Sequence, residues 1–188
     1  MSASNVAPDR ALSSGKPTAV DIVFLLSMVG LMALVAFLGR LTFQEGVKTE
    51  ITKSQAETLV GWMKEASGRR SGEDFQPSAC AYKTAGSAEV NLWRPCAHGL
   101  LSDKGPLANA TNAFTGEPIA FVERCNPSDL ATAGRIVADK ISSTPPGSAV
   151  PIVVGPMADD ERIGQKLMIR IAICDKGGYA IRVGETEF

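Results

Sequence analysis

Residues 19–44 read AVDIVFLLSMVGLMALVAFLGRLTFQ, and this stretch decides the architecture. From Ile22 to Gly39 there is no charge. With Ala19 and Val20 the run makes about 30 Å of helix, the thickness of a bilayer core. A buried core helix and a cleaved secretory signal are the two competing readings. The apolar run is long for a signal, and no small-x-small site precedes Arg40. Asp21 stands at the start of the run, where a carboxylate is either solvated at headgroup level or seeks a partner in helix packing.

The chain does not break after the span. Residues 41–67 hold no proline, and Phe43, Val47 and Ile51, then Ala56, Leu59, Val60 and Met63, recur at helical spacing. Gly46 and Gly61 weaken the pattern; Ser67-Gly68 and Ser71-Gly72 end it. The expectation is one long helix over about residues 19–66, its first half apolar all round and its second half amphipathic. The domain boundaries that follow are a leader-like segment 1–18, a span 19–39, an amphipathic continuation 40–67 and a globular domain 68–188.

Residues 73–116 are turn-rich, with a strand expected at Glu89–Trp93. Pro118–Glu123 is expected as a strand and Ser128–Ile141 as a helix capped by Ser128. Thr144–Gly147 is a connector, and Val150–Val154 a short strand. In Lys166–Cys174, Leu167, Ile169, Ile171 and Ile173 alternate onto one face. Asp175–Gly178 makes a turn, and Tyr179–Val183 returns as the second arm of a hairpin. The fold class is therefore α+β: a long N-terminal helix packed on an antiparallel sheet and stabilised by disulfides.

The chain of 188 residues has 19 Lys+Arg against 20 Asp+Glu, a net charge of −1, which leaves no electrostatic footprint for nucleic acid. Its 45% hydrophobic content excludes a wholly disordered chain. One histidine excludes a multi-histidine metal site. Flanking charge orients the span weakly, since Arg10 and Lys16 precede it while Arg40 and Lys48 follow. The cysteines orient it better. Cys80, Cys96, Cys125 and Cys174 all follow the span, and an even number points to disulfides in an oxidising compartment. This puts the N-terminus in the cytoplasm and the domain in a periplasm or beyond. Four cysteines allow three pairings; sequence proximity favours Cys80–Cys96, leaving Cys125–Cys174. Zinc is disfavoured because no C-x-x-C pair exists.

Other constellations are weaker. Cys96-Ala-His98 places a thiol and an imidazole close in sequence, but in a bridge the thiol is consumed. Asp159-Asp160-Glu161 lacks calcium-loop spacing. Asn109-Ala-Thr111 is a glycosylation sequon. No phosphate loop, dinucleotide fingerprint or carboxylate pair is visible, so the expectation is no enzyme, no cofactor and no metal.

In their order, these pieces resemble type IV pilins, closest to the type IVb branch and to minor pilins. The carriers are the helix of residues 19–44 with acidic Asp21 near its start, the Asn112-Ala-Phe-Thr-Gly116 turn before a strand, and Cys125 paired in position with Cys174, which resembles the bridge bounding that family's variable region. The cleavage motif is diverged: Gly15 is followed by Lys16-Pro17, and Asp21 is the sixth residue after Gly15 rather than a fifth-position Glu. The resemblance implies a filament or secretion-machine subunit, with the membrane and other pilin-like subunits as partners and Asp21 as an assembly residue paired with a neighbour's positive charge. Small residues Ser27, Gly30, Ala33, Ala36 and Gly39 recur every three positions, allowing close helix contact. The rival expectation is a membrane-tethered extracytoplasmic binding or accessory module.

Overall fold

The structure is a computed structural model describing residues 18–82, 91–143, 152–164 and 166–188. Its elements are α1 (Ala19–Ser67), a 3₁₀ turn (Ser78–Cys80), α2 (Trp93–Leu101), β1 (Phe121–Val122), a second 3₁₀ turn (Leu130–Thr132), β2 (Ile136–Ser143), β3 (Ile152–Pro156), β4 (Met168–Cys174) and β5 (Ala180–Glu187). The chain divides into two compact units, Met1–Phe43 and Gln44–Phe188. In the first, the apolar side chains Val20 to Phe43 are exposed. α1 is long and apolar enough to cross a membrane.

In the second unit, Thr52, Ala56, Leu59, Met63 and Ala66 form the buried face of α1. Ala56, Leu59, Met63 and Ala66 share one core with Ile169, Ile171 and Ile173 of β4, and Trp93, Leu100, Ile163 and Phe188 complete it. The alternation expected in β4 is thus observed, because a period of two puts those three isoleucines on one face. The opposite face carries a smaller cluster of Val137, Ala172 and Cys174. The expected stripe on α1 is only half covered: Val47 and Ile51 remain 41% and 46% exposed. Val47 and Met63 lie about 160° apart round an ideal helix, so one sheet cannot cover both.

The sheet is mixed, not antiparallel throughout. β2–β3, β2–β4 and β4–β5 are antiparallel, but β1 runs parallel to β2. β1 and β3 therefore divide one edge of β2 between them. The expected helix at Ser128–Ile141 is also corrected. Asp129, not Ser128, caps a single 3₁₀ turn, accepting from the Ala131 amide. Gly134 then takes φ +71°, and Ile136 opens β2. Val137 and Ile141 share a face in a strand as well as in a helix, and left-handed Gly134 breaks the expected helix between Leu130 and Val137. At Glu89–Trp93, Trp93 begins α2 rather than ending a strand, while residues 89 and 90 fall outside the described set. The Thr144–Gly147 connector and residues 150–151 also lie outside it.

β4 and β5 slip register between Ile171 and Ala172, a bulge that brings Gly184 against α1. A Cβ built on Gly184 would stand 3.1 Å from Val60 Cγ1. Gly184→Val is expected to cost about 1–3 kcal/mol through overpacking, read as a lower urea midpoint for the full chain in detergent. An unchanged midpoint would show that α1 gives way there freely.

Candidate functional site

The chain at the head of α1 builds its own cap. Thr18 Oγ1 accepts from the Asp21 amide at 3.3 Å. The Asp21 carboxylate in turn accepts from the Thr18 amide at 2.9 Å and from its hydroxyl at 2.7 Å. This reciprocal arrangement is a capping box, which satisfies amides that a helix start leaves orphaned. The T-x-x-D pattern was available in the sequence, but attention to the carboxylate alone passes over Thr18. The Asp21 carboxylate is therefore hydrogen-bonded within its own chain.

Further along, the Ser27 hydroxyl is spent on the Phe24 carbonyl at 2.8 Å. Gly30 and Gly39 have open space where a side chain would stand. A strict spacing of three falls about 60° short of a full turn at each step. Ser27 and Ala36 consequently lie on opposite sides of the helix. The small residues wind around it instead of forming one seam, so they offer close approach to several neighbours in turn.

Both disulfides are present. Cys80–Cys96, with Cα atoms 4.7 Å apart, fastens the first 3₁₀ turn to α2. Cys125–Cys174, at 5.3 Å, fastens the chain after β1 to the end of β4. Cys96 is thus consumed, and His98 faces solvent from the last turn of α2. In the acidic run, Glu161 accepts from Lys140 at 2.7 Å and Asp159 lies 3.8 Å from Arg94.

Asn112 of the N-x-aromatic-x-Gly turn is buried. Its Nδ2 donates to the Ala133 carbonyl at 2.7 Å, and its Oδ1 accepts from the Phe114 amide at 2.8 Å. Gly134 sits directly beneath, where a Cβ would strike Asn112 and Phe114. The turn is thereby pinned to the entry of β2. Gln55 on α1 donates to the Thr111 carbonyl at 3.1 Å, and Lys176 pairs with Glu45.

One charged residue escaped the sequence reading. Arg70 is fully buried. Its Nε donates to the Cys80 carbonyl at 2.7 Å and its Nη2 to the Ile163 carbonyl at 2.6 Å. The guanidinium lies between the rings of Tyr82 (4.2 Å) and Phe188 (4.0 Å). Burial pulls its pKa below the ordinary value, with the Tyr82 phenol opposing. Arg69-Arg70 after a helix gives no sequence cue as to which arginine turns inward.

Two open grooves of about 450 Å³ each mark the second unit. One is lined by Trp62, Arg69, Glu73 and Phe75. The other opens between β1 and β3, over Trp93, Phe121, Ala138 and Met157, with Glu123 and Asp159 at its rim. Neither assembles a nucleophile with a base. No family model, no curated protein and no solved structure matches this chain.

Proposed function

We propose that this chain is a membrane-anchored, pilin-like structural subunit of a filament or secretion assembly, with its N-terminus cytoplasmic and its disulfide-bonded domain outside. The observation that carries this reading is α1 itself. It runs from Ala19 to Ser67 without a non-helical residue, and passes from an exposed apolar surface to a face buried in the domain core. A tethered module is more often joined through a flexible linker. The apolar half suits lipid before assembly and neighbouring helices after it, and the winding small residues suit contact on several sides. In such a core, Asp21 would exchange Thr18 for a neighbour's positive charge, which offsets the cost of its desolvation.

The capping box favours the second reading, a tethered binding or accessory module, since Asp21 there already has its partner. The groove between β1 and β3 would then be the binding surface.

The two part at Asp21. In the native host, Asp21→Ala is expected to lower the fraction of subunit in sheared polymer at least tenfold, leaving membrane insertion and disulfides intact, while Asp21→Glu is tolerated. Thr18→Val breaks the box but keeps the carboxylate, so it is expected to retain polymer. Equal polymer fractions for Asp and Ala, or no polymer for either, would move the tethered module ahead. Equal losses for Thr18→Val and Asp21→Ala would make Asp21 a cap and nothing more.

A further inference from the structure

Leu130 and Tyr179, 67% and 65% exposed, are the barest large apolar side chains among the described residues of the second unit. They are remote in sequence, yet the fold fastens their segments together at one end of the sheet. Cys125–Cys174 ties the segment leading to Leu130 to the end of β4. Gly178, one residue before Tyr179, takes φ +74° and lies against the same segment, where a Cβ would strike the Asn126 carbonyl. The Gly134 amide also donates to the Cys174 carbonyl at 2.8 Å. Single exposed apolar residues need no account, but two held bare at one end by a bridge and a tight turn mark a contact surface.

This end also reaches furthest back along α1. Lys176, in the turn before Tyr179, pairs with Glu45. Other contacts come later on the helix: Lys48 lies 6.0 Å from the Phe114 ring, and Gln55 donates to the Thr111 carbonyl at 3.1 Å. Glu45 is the sixth residue after Gly39, which ends the uncharged run. Six helical residues rise about 9 Å. Whatever angle the two units make, the turn carrying Tyr179 therefore stays close to the end of that run. The headgroup layer beside a bilayer core is itself roughly 5–8 Å deep, and tyrosine is enriched in it.

We infer that Leu130 and Tyr179 seat in the headgroup layer of the membrane that α1 crosses, so that this end of the sheet rests on lipid. Tyr179 supplies a ring with an apolar body and a polar tip, and Leu130 supplies an aliphatic wedge. The hold is apolar, not ionic. Residues 123–135 carry two acids (Glu123, Asp129) and two bases (Arg124, Arg135). In the turn, Lys176 is spent on Glu45 and Asp175 on the Tyr179 amide. Anionic lipid therefore gains nothing over zwitterionic lipid. The inference rests on the membrane-anchored reading but not on polymer formation.

A photo-reactive benzophenone amino acid replacing Leu130 or Tyr179 in the full-length chain, irradiated in phosphatidylcholine vesicles, tests this. Each position is expected to give a lipid adduct at a yield at least tenfold above the same probe at Ile152, which pairs with Ser143 at the opposite end of β2. Leu130→Glu is expected to lower the yield from position 179 at least fivefold with the disulfide map unchanged. Yields at 130 and 179 no higher than at 152, adducts with a second copy of the chain in place of lipid, or a yield indifferent to Leu130→Glu would each overturn the seat. The same probe at Leu31, inside the apolar run, separates this failure from that of the anchor. Lipid adduct at 31 with none at 130 or 179 sinks the seat and keeps the anchor; none at 31 sinks both.

Discussion

Arg70→Ala is expected to destabilise the second unit by about 3–5 kcal/mol, the loss typical of breaking a buried charged group out of its bonds. Two effects combine. The carbonyls of Cys80 and Ile163 each lose their guanidinium donor, and a buried acceptor left alone costs about 1–3 kcal/mol. The space between the Tyr82 and Phe188 rings also opens into a cavity. Arg70→Lys is expected to do almost as badly. An ammonium cannot bridge two carbonyls with a planar fork, nor stack between two rings. Arg70→Met fills the space without a buried charge and is expected to recover part of the loss. Urea unfolding of the full chain in detergent, followed by the fluorescence of Trp62 and Trp93, checks the order; Ala and Met unfolding together would remove the cavity from the account.

The second large effect concerns the bridges. Cys125–Cys174 closes 49 residues and Cys80–Cys96 closes 16. Loop-closure entropy gives about 4 kcal/mol for the first and about 3 kcal/mol for the second. Cys125→Ser with Cys174→Ser is therefore expected to be the more damaging double variant, by roughly 1 kcal/mol. Arg70 holds the carbonyl of Cys80, the residue that the shorter bridge also holds. Removing that bridge and Arg70 together is expected to cost less than the two losses added, because both restrain one turn. Strict additivity in a double-mutant cycle would show that they act separately.

The parts of this fold legible in the sequence are those where one period excludes the other. Ile169, Ile171 and Ile173 alternate strictly, and the apolar run from Ile22 has no strand interpretation at that length. Residues 128–141 failed because apolar residues four apart satisfy both periods, and the deciding fact is that Gly134 lies under Asn112, a contact invisible in sequence. β1 failed in direction because a parallel pairing of only two residues leaves no pattern of its own. At the candidate site, the cysteine pairs were legible from proximity and even count. Asp21 was legible as unusual, but its hydrogen bonds to Thr18 required coordinates. Arg70 was not legible, since it satisfies backbone carbonyls rather than a carboxylate, and carbonyls are everywhere.

The packing of Val60 on Gly184 sets a schedule for the polypeptide as it is made. The inward face of α1 (Ala56, Leu59 and Met63) emerges early, yet the strands that cover it, β4 and β5, emerge last. Until they arrive, a completed greasy helix face has nothing to lie on. Contacts this remote in sequence form slowly, and surface left open in the interval attracts other chains. The inward face of α1 is thus the first part of the core to be made and the last to be covered, so folding of the second unit closes only when the C-terminal hairpin arrives.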